Sequence, residues 1–270
     1  MALFCPAGTH YQTLGKPLTG IQTDNSAVVF IHGVGLDLNL WQNQTQAFES
    51  HYHVITYDML GHGLSPNAEA GISLNTLSHQ LVALIDHLQL HQIHLVGFSL
   101  GGLVARVFAT QHHHRLKSLT IMNSVFDRDD ALRQAILLRV KEVENHGPSA
   151  NIDQALTRWF SPLYTQNNSH YLGQLKAKVL ANHGPSYSRC YRLFGEGDNV
   201  ARNQLGNISC PTLITTGELD PGSTPAMSHA LAAHISSAQV AILPNARHMM
   251  PIEKAREVNQ LLKQFINVNR

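Results

Sequence analysis

Short apolar and β-branched runs recur along the chain with helical patterns between them. No other feature of the sequence constrains the fold as much. The runs are AVVFI (27–31), HVITY (53–57), IHLVG (93–97), LKSLTIM (116–122), PTLITT (211–216) and QVAIL (239–243). Near-continuous apolar runs of this length are expected of fully buried parallel strands. In 73–90, Leu77, Leu81, Leu84, Ile85 and Leu88 recur at helical spacing. Val258, Leu261, Leu262 and Phe265 do the same after Pro251, a residue suited to a helix start. The alternation implies an α/β fold with a mostly parallel central sheet and helices on both faces. The stretch HYQTLGKP (10–17) reads as an antiparallel hairpin arm on the sheet edge.

The alternation breaks once. From Ser124 to Leu205 there are helical patterns (ALRQAILLRV, ALTRWF, YLGQLKAKVLAN) and no convincing strand. A stretch of about 80 residues is far too long for an ordinary connection. It reads as an inserted helical cap, 124–205, on a core domain formed by 1–123 and 206–270.

Composition narrows the function classes. A formal charge of +1, with no block of one sign, gives no nucleic-acid or membrane-binding surface. No apolar run approaches a membrane span, and MALFCPAGTH lacks the basic and apolar parts of a signal peptide. Cys5, Cys190 and Cys210 are odd in number and lack CxxC spacing, which argues against a disulfide framework or a zinc site. Histidine is abundant, with 18 copies, but QHHHR (111–115) reads as a solvated helix end rather than a metal site. The expectation is a reduced, cytoplasmic protein with no metal.

Within this frame one polar residue stands out. LVGFSLGGLVA (95–105) sets Ser99 between Gly97 and Gly101 at a junction of apolar strand and apolar helix. A serine at a sharp strand-to-helix turn takes a strained backbone, and glycines two residues either side let strand and helix approach. A hydroxyl needs a base to take its proton, and the base needs an acid to orient it. TTGELDPGS places Asp220 just past a strand, and PNARHMMP places His248 after the next one. Both lie at carboxyl ends of strands, where open α/β sheets build their sites. Glu218 and Asp127 are rival acids. Donors for an oxyanion are offered by the backbone N–H groups of Val34, in IHGVGLD, and Leu100. His32 and Gly33 shape that loop, and YDMLGHGLSP (57–66) reads as a scaffolding turn around Asp58.

Taken together, HGVGLD, DMLGHGLS, GFSLGG and the Asp220/His248 pair resemble the α/β-hydrolase superfamily in its capped branch. The resemblance covers the chain outside the cap. It implies an eight-stranded, mostly parallel sheet and a Ser99–Asp220–His248 triad with no cofactor. Members with an aspartate nucleophile do not match, because Ser99 holds that position.

HGVGLDLNLWQ and ITYDMLGHGLS are more closely similar to two bacterial groups, the 3-oxoadipate enol-lactonases and the amidomethylene succinate hydrolases. Both act on small carboxylates, so cations are expected in the cap. The cap holds seven of the chain's twelve arginines: Arg128, Arg133, Arg139, Arg158, Arg189, Arg192 and Arg202. Arg139 and Arg158, the latter beside Trp159, sit in apolar settings and resemble the carboxylate-gripping arginines of the second group. Some of its members take their acid from just after the strand that precedes the cap. Here that stretch begins Asn123-Ser124, with Asp127 a few residues on, which favours Asp220. The resemblance implies a hydrolase of a small-molecule carboxylate. A binding protein that kept the fold is the alternative of another class.

Overall fold

The computed structural model describes residues 2–15 and 27–270. Its eight strands are β1 Leu3–Phe4, β2 His10–Leu14, β3 Ala27–Ile31, β4 His53–Tyr57, β5 Ile93–Phe98, β6 Leu116–Met122, β7 Thr212–Gly217 and β8 Ala238–Leu243. They form one sheet in the order β1-β2-β4-β3-β5-β6-β7-β8. Every neighbouring pair from β4 to β8 is parallel, and β2 runs antiparallel to β4 with Tyr11 opposite Tyr57. The expected hairpin arm is therefore present, though Lys16 and Pro17 of its motif lie outside the described residues.

β3 and β5 hold the centre, and every residue of either strand is buried, all apolar but for Gly97 and for His94, whose Nδ1 meets the Ser118 hydroxyl. Fully burying an apolar side chain contributes about 1.5–3 kcal/mol. β8 departs from the expectation of full burial. It pairs only with β7, closes the sheet, and leaves its residues half-buried or exposed. Its apolar run marks a strand without marking its place at an edge.

Helices α1 Gln42–Phe48, α2 Leu74–His87 and α3 Leu100–His112 link the first strands. α2 starts at Ser73, whose hydroxyl accepts from Thr76 N–H while Thr76 reaches back, a capping box. Its Leu77, Leu81, Leu84 and Ile85 are buried as the spacing requires, and Leu88 lies at the cap. Between β6 and β7 the chain forms α4 Asp130–His146, α5 Ile152–Trp159, α6 Pro162–Asn167, α7 Ser169–Leu180 and α8 Gly184–Glu196. A 3-10 segment, Arg202–Asn207, leads back to the sheet.

The last helices are α9 Pro225–Ala232, α10 Met250–Glu253 and α11 Ala255–Val268. Pro251 opens only the short α10, because Lys254 leaves helical geometry before α11 begins. On α11 the buried face is Val258, Leu262, Phe265 and Ile266, with Leu261 at its margin. Among the described residues no helix is long and apolar enough to cross a membrane.

Candidate active site

The chain turns from β5 into α3 at Ser99, whose φ is +55°. A side chain there is strained, and such strain persists only where the surroundings impose it. They do so through two close approaches. A Cβ on Gly97 would strike the Gly101 carbonyl, and one on Gly101 would strike the carbonyls of Ile31 and His32. Ser99 N–H donates to Met122 O (2.9 Å), and the Ser124 hydroxyl donates to Ser99 O (3.0 Å). Its side chain is thereby aimed out of the sheet at the rim of a cavity.

His248 reaches the same cavity from the loop after β8. Its Nδ1 is 2.7 Å from Asp220 Oδ2, and both side chains are buried. A carboxylate only accepts, so Nδ1 carries the proton and Nε2 is free to accept one. The Asp220 Oδ1 accepts from the N–H groups of Gly222 (2.9 Å) and Ser223 (3.0 Å). Burial pushes the Asp220 carboxyl upward, but the charge and hydrogen bond of His248 outweigh it, helped by Asn123 and Gly222. The net result lies below the usual carboxylate range. Phe98 packs on His248 with ring centroids 5.1 Å apart, and Trp159 stacks on it at 6.5 Å.

The rival acids go elsewhere. Asp127 is exposed and paired with Arg202 at 2.6 Å, while Glu218 accepts from Asn245 N–H at 2.9 Å. Ser99 and His248 share the cavity wall, but they form no hydrogen bond with each other among the described residues. Such bonds are commonly long in unliganded sites and tighten with substrate.

Next to Ser99 lie two buried N–H groups, of Val34 and Leu100, with no acceptor among the described residues. His32 accounts for the direction of the first. Its Nδ1 donates to Gly33 O (2.7 Å) while its Nε2 accepts from Met59 N–H (3.0 Å). With the Gly33 carbonyl held toward His32, a trans peptide directs the Val34 N–H the opposite way. Burial holds the His32 pKa down and so keeps the ring neutral for this double role. Asp58 has the scaffolding part expected of it. It binds His10 (2.7 Å) and accepts from the N–H groups of Leu38 and Leu64.

The cavity has a volume of about 290 Å³, and Arg139, Arg158 and Trp159 help to line it. Neither arginine has an ion pair or hydrogen bond among the described residues, and Arg139 Nε is buried without a partner. Burial lowers the Arg158 pKa, and the like charge of Arg139 lowers it further. The cavity lining thus carries two mutually repelling cations, with no acid paired to either among the described residues. Four other arginines of this segment meet partners outside the cavity. Arg133 pairs with Asp130 and Asp198, Arg192 with Glu144 and Glu196, and Arg202 with Asp127, while Arg189 donates to Ala68 O.

The sequence names Arg128 among the seven cap arginines but gives it no place in the site. Arg128 is buried, lines the cavity and donates to the carbonyls of Gly195 and Phe194. Desolvation brings its pKa down to about 10, against the pull of Asp198 at 3.8 Å. Tyr187, and Tyr191 with Asn151 bonded to its hydroxyl (3.2 Å), complete that end. No spacing in the sequence pointed to them. The His112–His114 run packs on itself, and no cluster of three metal-type ligands exists among the described residues.

A strained serine at a strand–helix elbow, with a carboxylate-held histidine across the cavity, defines a class of protein. The model of the α/β hydrolase fold family matches residues 26–255, so the chain belongs to that family, and it is a hydrolase. More particular likenesses follow. The chain is 30% identical over 247 residues to (E)-2-((N-methylformamido)methylene)succinate hydrolase of Acinetobacter baylyi, covering 91% of this chain and 92% of that one. It is also 30% identical over 254 residues to 3-oxoadipate enol-lactonase 2 of the same organism, covering 94% and 91%. The crystal structure of an enol-lactonase from Burkholderia xenovorans superposes with a TM-score of 0.86 at 24% identity, over 99% of this chain and 100% of the other.

Proposed function

We propose that this enzyme is a serine hydrolase that cleaves the C–N bond of an N-acyl-aminomethylene succinate. (E)-2-((N-methylformamido)methylene)succinate is the specific candidate, in bacterial breakdown of N-heterocycles. The observation that carries the reading is the pair of unpartnered guanidinium groups, Arg139 and Arg158, on the wall that Ser99 and His248 share. A dicarboxylate would supply the missing charge. Each charge-assisted hydrogen bond to it is worth about 1.5–3 kcal/mol.

In this reading residues 124–205 act as the cap, and Asp220 holds His248 so that Nε2 takes the Ser99 proton. Oγ attacks the formamide carbon, and the N–H groups of Val34 and Leu100 receive the oxyanion. His248 returns the proton to the departing nitrogen, and the C–N bond breaks to leave a formyl-serine. Water then releases formate. The freed enamine hydrolyses to methylamine and formylsuccinate, and the latter, on loss of carbon dioxide, gives succinate semialdehyde. Water attacking directly under His248 is a variant of the same scheme. The three buried, unpaired cysteines support a reducing cytoplasmic setting.

The likeness to an enol-lactonase favours a second reading, in which the same groups open an enol-lactone or a carboxylic ester. Turnover of amidomethylene succinates, enol-lactones and neutral p-nitrophenyl esters, measured side by side, separates the readings. The amide is expected to show the highest kcat/KM. Preference for a neutral ester would end the proposal, because an ester leaves both cations unpaired.

A further inference from the structure

We infer that Asn123 is a positioning residue, holding the Asp220 carboxylate in the orientation from which it grips His248. The inference rests on the reading of Ser99, His248 and Asp220 as the working triad.

Asn123 follows β6, between β5 and β7 in the sheet, is fully buried, and has a φ of +47°. Its Nδ2 donates to Asp220 Oδ2 at 2.9 Å, the oxygen that also faces His248 at 2.7 Å. The amide orientation follows from chemistry, because a carboxylate oxygen needs a donor opposite it. The residue carries two costs for this contact. Its backbone lies in the left-handed region, and its Oδ1 is buried with no partner among the described residues. Buried polar atoms left in that condition ask for an explanation, and the aim of Nδ2 supplies one.

Among the described residues no other group does this work. Thr216 Oγ1 lies 3.5 Å from Oδ2, but its single proton goes to Ser223 O at 2.6 Å. The second Nδ2 proton of Asn123 points to that same hydroxyl at 3.2 Å. Gly222 and Ser223 N–H groups pin Oδ1 only. Among the described residues, Asn123 is therefore the donor that shares Oδ2 with His248 at full hydrogen-bond strength. Being uncharged, it orients the carboxylate without neutralising it, and the full charge remains for the imidazolium formed in catalysis. Its own backbone is clamped, with N–H donating to Thr215 O (2.9 Å) and the carbonyl accepting from Ser223 Oγ (2.9 Å).

The rate at which a fluorophosphonate modifies Ser99, followed across pH, tests this without reference to any substrate. Asn123→Gly removes the amide and accepts the positive φ, so the turn survives. The labelling rate at neutral pH is expected to fall roughly ten- to a hundred-fold, the equivalent of one hydrogen bond to a charged group. The acid limb of that profile should shift, since the Asp220 charge is no longer held in one geometry. His248 is the one titratable side chain bonded to Asp220 among the described residues. Its Nδ1 proton should also lose its sharp downfield resonance in proton spectra. Asn123→Asp keeps the shape and the backbone preference but sets two carboxylates face to face, and should label more slowly still. Folded N123G that labels within twofold of the wild-type rate, with an unmoved acid limb, overturns the inference even if its melting temperature drops. The same unmoved profile in N123D overturns it should N123G not fold. A wild-type chain that does not label at all would remove the triad reading itself and this inference with it.

Discussion

At the scale of single residues, the unbalanced cations make the sharpest claims. Arg158→Met should lower kcat/KM for an amidomethylene succinate by about 10- to 100-fold, mostly through KM, since the lost contact binds ground and transition states alike. Neutral p-nitrophenyl acetate should not lose turnover. The same change should raise the melting temperature, because it removes one of two repelling, unpaired charges. A fall in melting temperature would show that Arg158 has a structural partner after all. Asp220 makes a claim about pH. Its folded-state pKa lies below the unfolded value, chiefly through His248 acting against the penalty of burial. It therefore contributes stability that is complete above about pH 4 and is lost as pH falls through the depressed folded value. Denaturant titrations should show Asp220→Asn with a flatter decline below pH 4 than the wild type. Parallel declines would contradict the assigned bond.

At the scale of elements, α4 and α8 meet at Gly195. A Cβ there would meet Val140 Cγ2 at 2.5 Å, with Ile136 behind it. Gly195→Ala should cost about 1–3 kcal/mol by overpacking, read from chemical denaturation. It should also disturb Arg128, which donates to the Gly195 carbonyl. The strands and the elbow were legible in the sequence because apolar runs and flanking glycines report burial and close approach directly. The half-exposed β8 was not, since a strand's place in the sheet depends on which neighbours it lacks. Arg128 was missed for a related reason. Its carbonyl partners on α8 are some 66 residues away, and no periodicity records them. Asp220 is marked by its place just past a strand end, whereas Asn123 stands out only as a departure from a resemblance. Its value lies in an amide aimed across two strand ends, which spacing alone does not encode.

At the scale of the whole molecule, a formal charge of +1 leaves little net field to draw in an anion. The proposed attraction is local, concentrated in the cavity by Arg139 and Arg158 and by Arg128, which lies near Asp198. kcat/KM for a dianionic substrate should therefore fall only modestly with added salt, because these charges sit where screening is weak. A fall of a hundred-fold or more between low and physiological ionic strength would instead point to long-range steering. Cation wall and activated serine must belong to one site if the account holds. Intact-mass spectrometry after fluorophosphonate treatment, with and without excess succinate, tests that most directly. A single adduct is expected, carried by Ser99, absent from Ser99→Ala and slowed by succinate. A folded protein that takes up no adduct, or one whose labelling ignores the dicarboxylate, would contradict it.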